Sequence, residues 1–160
     1  MPCNQSAPTP SHSASPFTSP PHPRVGVSAL VQRDDKILVV RRRNAPNQGQ
    51  LAFPGGKLHW GEPLMQGVAR ELKEETGIVA SVDRLLEAVD VFLTNEHEQI
   101  TQHFVVLCYL CHWQQGQARA NNDAEAVYWL SAQELLQRDD ISAGVRQVLR
   151  GLSNINDQKY

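Results

Sequence analysis

One helix with three carboxylates on the same side constrains this chain more than any other part of it. Residues 56–78 read GKLHWGEPLMQGVARELKEETGI. At the α-helical rotation Glu71, Glu74 and Glu75 fall within an arc of about 100°, and like charges at i, i+3 and i+4 repel each other unless a cation sits between them. A hard, oxygen-seeking divalent ion, Mg²⁺ or Mn²⁺, answers that need. Pro63 suits the first helical turn, where a missing N–H costs nothing, and Gly77 suits a left-handed cap at the other end. Between them Met65, Val68, Ala69, Leu72 and the stem of Thr76 gather on a second face. That face is expected to be buried while the glutamates stay out of the core. Arg70 precedes Glu74 by one helical turn, within reach of an ion pair.

Ahead of the helix, Pro54-Gly55-Gly56 permits backbone conformations that other residues resist and could bring a main-chain carbonyl to a metal. Glu62 sits just before the helix start. The simplest alternative for such a helix is a solvated charged face.

With its glycines and arginine, the segment resembles the Nudix hydrolase signature G-x5-E-x7-R-E-U-x-E-E-x-G-U, where U is a bulky aliphatic residue. It is matched at Gly56, Glu62, Arg70, Glu71, Leu72, Glu74, Glu75, Gly77 and Ile78. The box covers 23 of the 160 residues, and a looser resemblance runs from about Arg24 to about Leu136. This full spacing turns the balance against a merely solvated face. The resemblance implies an α/β/α sandwich, a mixed β-sheet between helices, in an enzyme that hydrolyses phosphoanhydride bonds. It implies a Mg²⁺ (or Mn²⁺) cofactor bound by Glu71, Glu74 and Glu75, with the Gly55 carbonyl and Glu62 assisting and Arg70 orienting the glutamates.

The general base varies in location within the family. Glu71 is one candidate; Glu98 and Glu125, outside the box, are the others, each with a solvated surface role as its alternative. Glu125 is favoured, because Asn121-Asn122-Asp123 would put it on a loop able to reach over the metals. The wider pattern looks most like the branch associated with ADP-ribose and related nucleoside diphosphate derivatives. Against it, a known ADP-ribose subgroup carries a proline after the box, and this chain has none after Pro63. Nucleoside triphosphate cleavage is the close alternative, and a non-catalytic nucleotide-binding domain is a third, although such domains often lose the glutamates kept here.

Substrate contacts are expected from the arginines that end the second strand, Arg41 and Arg43 above all, since alternation turns at least one of Arg41, Arg42 and Arg43 to the inner face of a sheet. Phe53, Trp60 and His103 could stack on a base or sugar, with core packing as the alternative for each, and Trp129 is expected to pack.

A net charge of −2 and a pI near 6.3 give no footprint for nucleic acid or a membrane surface. No apolar run approaches transmembrane length. The expected partner is a small nucleotide substrate, and the resemblance admits a homodimer. The first 23 residues hold seven of the ten prolines and five serines, with no charged side chain before Arg24. They have little with which to build a core, so residues 1–22 are expected to be a disordered tail and 23–155 the Nudix domain. The tail lacks a basic start followed by an apolar stretch, which argues against a secretory signal. With three cysteines, an odd number, free thiols in a reducing, cytoplasmic setting are expected. Cys108, Cys111 and His112 spell C-x-x-C-H, but on a strand residues three apart face opposite ways, so buried strand cysteines are expected rather than a haem or zinc site.

The coarse order of elements is a hairpin of strands 25–32 and 36–42 across Asp34-Asp35, a loop over 44–50, a short strand at 51–53, the glutamate helix, strands 85–94 and 100–112, and another short strand at 127–130. Ser131-Ala132-Gln133-Glu134 fits a capping box opening a short helix, and 141–152 carries a second helical pattern.

Overall fold

The computed structural model describes residues 22–157, so the expectation for the N-terminal tail lies outside the described residues. Strands β1 (Arg24–Arg33), β2 (Lys36–Arg42), β3 (Leu51–Ala52) and β4 (Gly55–Lys57) precede helix α1 (Leu64–Thr76). Then come β5 (Val79–Thr94), β6 (Ile100–Gln115), β7 (Ala124–Leu130), α2 (Ala132–Leu136) and α3 (Ala143–Asp157). The seven strands form one mixed sheet in the order β3-β2-β1-β6-β5, with β4 also on β1 and β7 also on β2. Only β1 and β6 pair in parallel; the other pairs are antiparallel.

Helices cover both faces, which is why the central strands read as continuous apolar runs rather than as alternating ones. Val27, Ala29, Val31, Leu38, Tyr109 and Cys111 pack toward α1 with Val68 and Leu72. Leu30, Ile37, Val39, Cys108 and Leu110 face the other way, toward Leu135 of α2 and Val145, Val148 and Leu149 of α3. This is the α/β/α sandwich expected above. Each fully buried Val or Leu contributes about 2 kcal/mol from the water it leaves. The two cysteines lie in different cores, as strand alternation requires.

The hairpin turn at Asp34-Asp35 and the Ser131 capping box form as expected; Ser131 Oγ accepts from Glu134 N–H at 3.2 Å and Glu134 accepts from Ser131 N–H at 2.6 Å. β5 and β6 are longer than their apolar runs, and their ladder accommodates register shifts on both strands. No described helix is long and apolar enough to cross a membrane.

Helix α1 starts at Pro63, the N-cap residue, and stops at Gly77, whose φ of 71° is left-handed and whose N–H donates to the Lys73 carbonyl at 2.9 Å. Its buried stripe is Gly67, Val68, Leu72, Glu75 and Thr76. This corrects the sequence expectation in two ways. Met65 and Ala69 are exposed, and Leu58 and Leu64 cover the first turn in their place. Glu75, expected outside the core, is only 5 % exposed. It follows Val68 by seven residues, two turns, and so lies on the same stripe.

Candidate active site

The three glutamates share an arc but not an environment, because the arc straddles the edge between core and solvent. Glu75 points inward and accepts a hydrogen bond from the Gly55 N–H at 3.0 Å. Glu71, in the middle, keeps 14 % of its side chain exposed and Glu74, on the outer side, keeps 47 %. The glycine pair makes room for this arrangement. Neither Gly55 nor Gly56 has a positive φ, so their role is space rather than the unusual backbone conformation expected from the sequence. A Cβ on Gly56 would stand 2.6 Å from all three carboxylate atoms of Glu71.

Arg70 ties the acidic residues together. Its Nε and Nη2 donate to Glu62 at 2.6 and 2.9 Å, its Nη1 to Glu71 at 2.8 Å and Glu74 at 3.3 Å, and its Nη2 also to the Lys57 carbonyl at 3.1 Å. Such a planar fork fixes carboxylates in one geometry. Glu62 is fully engaged in this clamp, since it also accepts from the His59 N–H at 3.0 Å. The Arg70 hydrogen bonds, followed by the His59 N–H, hold its carboxyl down at about 2. A depressed carboxyl stabilises the fold above its unfolded value and loses that contribution as pH falls from 4.5 through about 2.

We expect Arg70→Ala to lower the melting temperature and to cut turnover about a hundredfold by releasing Glu71 from its rotamer, with Arg70→Lys intermediate. Thermal melts and steady-state kinetics check this; wild-type kinetics in a folded alanine variant would show that the clamp does not position Glu71.

Glu71 and Glu75 open onto a cleft of about 1040 Å³ whose walls also include Arg42, Phe53, Gly55, Gly56, His59, Gln102, Phe104 and Asp123. The same cleft is also lined by apolar side chains, Val89, Val91, Phe104 and Val106 of the β5–β6 ribbon and Val145 and Val148 of α3. Burial raises the Glu75 carboxyl to about 7; the Gly55 N–H opposes this, Glu71 adds to it, Arg42 opposes it and Asp123 adds to it. The pair is therefore short of positive charge, and its donors are hard oxygens.

A Mg²⁺ or Mn²⁺ ion fits that donor set. Among the described residues no three His, Cys, Asp or Glu side chains form a closed cage. That suits an ion held by one or two carboxylates and completed by water and phosphate oxygens.

The other expected contacts scatter. Arg41 donates to the Gly49 carbonyl and to Asp140 at 3.1 Å, and Arg43 donates to the Ala124 carbonyl at 3.3 Å, so neither lines the cleft. Arg42 does. It shares strand parity with Leu38, which faces α1, whereas Arg41 shares parity with Ile37 and Val39, which face α3. Phe53 lines the cleft from within the core. His103 does not: its ring lies 4.5 Å from Phe92 and its Nε2 is 2.8 Å from Asp90, and the next residue, Phe104, takes the wall. Trp60 is fully exposed.

Glu125 lies in β7 rather than on a loop over the cleft. Arg41 pairs with Ala126 and Arg42 with Ala124, so Glu125 is the residue skipped at a bulge. Asp123 stands at the cleft instead, because Arg119 and Asn121 donate their N–H groups to the Thr76 and Glu75 carbonyls at 2.9 Å and dock the loop on the end of α1. Glu98 sits in the β5–β6 turn, away from the cleft. Asp123 and Phe104 were missed in the sequence. The turn-forming Asn121-Asn122-Asp123 was a signal for the first, and the second had none beyond strand parity.

A family model of the NUDIX domain matches residues 21–152. The chain belongs to the Nudix hydrolase family. That family acts on phosphoanhydride bonds, and its members generally use divalent metal ions. Among curated Nudix relatives, the chain is 32 % identical over 114 residues to an ADP-ribose pyrophosphatase of Methanocaldococcus jannaschii, covering 71 % of this chain but 65 % of that protein, less than two thirds of its length. It is 36 % identical over 122 residues to a MutT-like protein of Streptomyces ambofaciens, covering 76 % of this chain and 72 % of the other. The crystal structure of a MutT NUDIX hydrolase from Burkholderia pseudomallei superposes with a TM-score of 0.72 at 34 % identity, covering 82 % of this chain and 98 % of that one.

Proposed function

We propose that this Nudix domain hydrolyses the diphosphate bridge of nucleoside diphosphate derivatives such as ADP-ribose, with Mg²⁺ or Mn²⁺ as cofactor. The observation that carries it is the make-up of the cleft, about 1040 Å³ in volume and lined both by carboxylates short of counter-charge and by apolar side chains suited to a nucleoside. The likeness to a relative named ADP-ribose pyrophosphatase supports the substrate class. Glu71 and Glu75, with Glu74 at the rim and the Gly55 carbonyl beside them, hold the ion, and Glu62 acts through Arg70. A bound divalent ion offsets the negative oxygens around phosphorus and lowers the pKa of a coordinated water. Of the carboxylates weighed as general base, Glu71 faces the cleft, and Asp123 joins it there. Cys108 and Cys111 are buried free thiols, raised by burial to about 11 and about 12, so they stand apart from the chemistry.

The test incubates the full chain and Mg²⁺ with ADP-ribose, NADH, diadenosine polyphosphates and nucleoside triphosphates. Release of AMP and ribose 5-phosphate is the expected result. Pyrophosphate with a nucleoside monophosphate would select triphosphate cleavage instead, and no turnover with any divalent metal would leave a binding domain.

A further inference from the structure

The arginines around the cleft differ in what they have left to give. Arg41 is bound through both Nη groups to Gly49 and Asp140 and Arg70 to three glutamates and the Lys57 carbonyl, while Arg43, bound through Nη2 to the Ala124 carbonyl, is exposed and does not line the cleft. Arg42 is different. Its Nε donates to the Pro46 carbonyl at 2.8 Å, which aims the guanidinium, while Nη1 and Nη2 have no partner among the described residues. The group is half-buried in the cleft wall. Among the described residues it makes no ion pair within 4.0 Å, although its charge is felt by Glu75.

The backbone around it is fixed. The Arg42 N–H donates to the Gln50 carbonyl at 3.0 Å and its carbonyl accepts from Gly49 N–H at 2.8 Å, closing the loop between them. Asn44 donates to Asp123 at 2.9 Å, and the Arg43 N–H donates to the Asp123 carbonyl at 2.8 Å, fastening that loop to the start of β7. A half-buried guanidinium, oriented at one nitrogen and free at two, facing a cleft beside carboxylates that do not pair with it, is built for an oxyanion.

We propose that Arg42 recognises the diphosphate, its two free Nη groups forking onto non-bridging phosphate oxygens of the substrate. The inference rests on the diphosphate reading of the cleft above. It makes Arg42 a binding residue whose contact does not depend on the metal, whereas the glutamates reach phosphate through one. Lysine supplies the charge without the fork, so Arg42→Lys keeps part of the contact and Arg42→Ala none of it.

The experiment has two arms on the full chain. In EDTA, binding of ADP is measured by calorimetry for the wild type, Arg42→Lys and Arg42→Ala; with Mg²⁺, kcat and KM for ADP-ribose are measured on the same proteins. We expect ADP affinity without metal to fall at least about tenfold in Arg42→Ala and less in Arg42→Lys, with KM rising in step and kcat changing less. If Arg42 served only to hold its loop through Pro46, kcat and melting temperature would fall together while ADP affinity stayed. That result, or a folded Arg42→Ala with wild-type ADP affinity, overturns the proposal. Should Arg42→Ala not fold, Arg42→Lys and Arg42→Gln carry the same comparison. Absent turnover in the wild type would count against the diphosphatase reading, while the EDTA arm still decides Arg42.

Discussion

Replacing Glu75 by glutamine will abolish most turnover and, in the same protein, raise the metal-free stability at pH 8. The two effects have one cause. Glu75 is buried, its carboxyl lies near 7 in the fold against an ordinary 4.5, and its charge has no full partner. A carboxyl raised on folding adds stability below its unfolded value and loses it as pH climbs through the folded one. The metal-free wild type therefore weakens between pH 4.5 and about 7. The difference is on the order of 3 kcal/mol at most. Glutamine keeps the acceptor for the Gly55 N–H and removes the charge, so the variant lacks this slope. It also removes a metal donor, for which a loss of about a thousandfold in kcat is the expected scale. Mg²⁺ should raise the wild-type melting temperature at pH 8 much more than that of the variant. Melting curves from pH 4.5 to 8 with and without Mg²⁺ test this; parallel pH profiles with equal response to the ion would refute it.

The adjacent glycines should fail in opposite ways. At Gly55 a Cβ would stand 2.2 Å from the Val27 carbonyl oxygen and 2.7 Å from the Ser28 Cα, both backbone of β1, which cannot withdraw without parting the strands. Gly55→Ala is expected to cost about 3 kcal/mol or more and to lower the melting temperature by roughly 10 °C. At Gly56 the obstacle is the end of the Glu71 side chain, which can swing aside. Gly56→Ala should fold with little loss and turn over about a hundredfold more slowly, because Glu71 is no longer where the chemistry needs it. Urea unfolding and kcat measured on both variants decide the matter. An active, stable Gly55→Ala, or a Gly56→Ala that unfolds easily yet keeps its rate, would contradict this account of the pair.

Much of the frame was legible because it is written in local rules. Gly77 ends α1 as a left-handed cap, Ser131 and Glu134 close a capping box, and Asp34 turns the first hairpin with a φ of 54°. Turns and caps depend on neighbours in the chain. The cleft depends on neighbours in space. Alternation along β2 divides its arginines into two sets, but which set meets the glutamates is decided by the layer in which α1 packs. A bulge opposite Arg41 and Arg42 removes Glu125 from the site, and two hydrogen bonds to the end of α1 bring Asp123 into it. Phe104 takes the place in the cleft wall expected of His103 through parity alone.

The order of the residues thus determined a capped helix with an acidic face, the glycines in front of it and a family signature, since each is set by spacing of a few residues. Tertiary packing decided how deep each acid lies, which arginine keeps a free fork and which loop closes the cleft. Burial and long-range pairing cost or gain free energy only when distant segments meet, and no periodicity along one strand or helix carries that information.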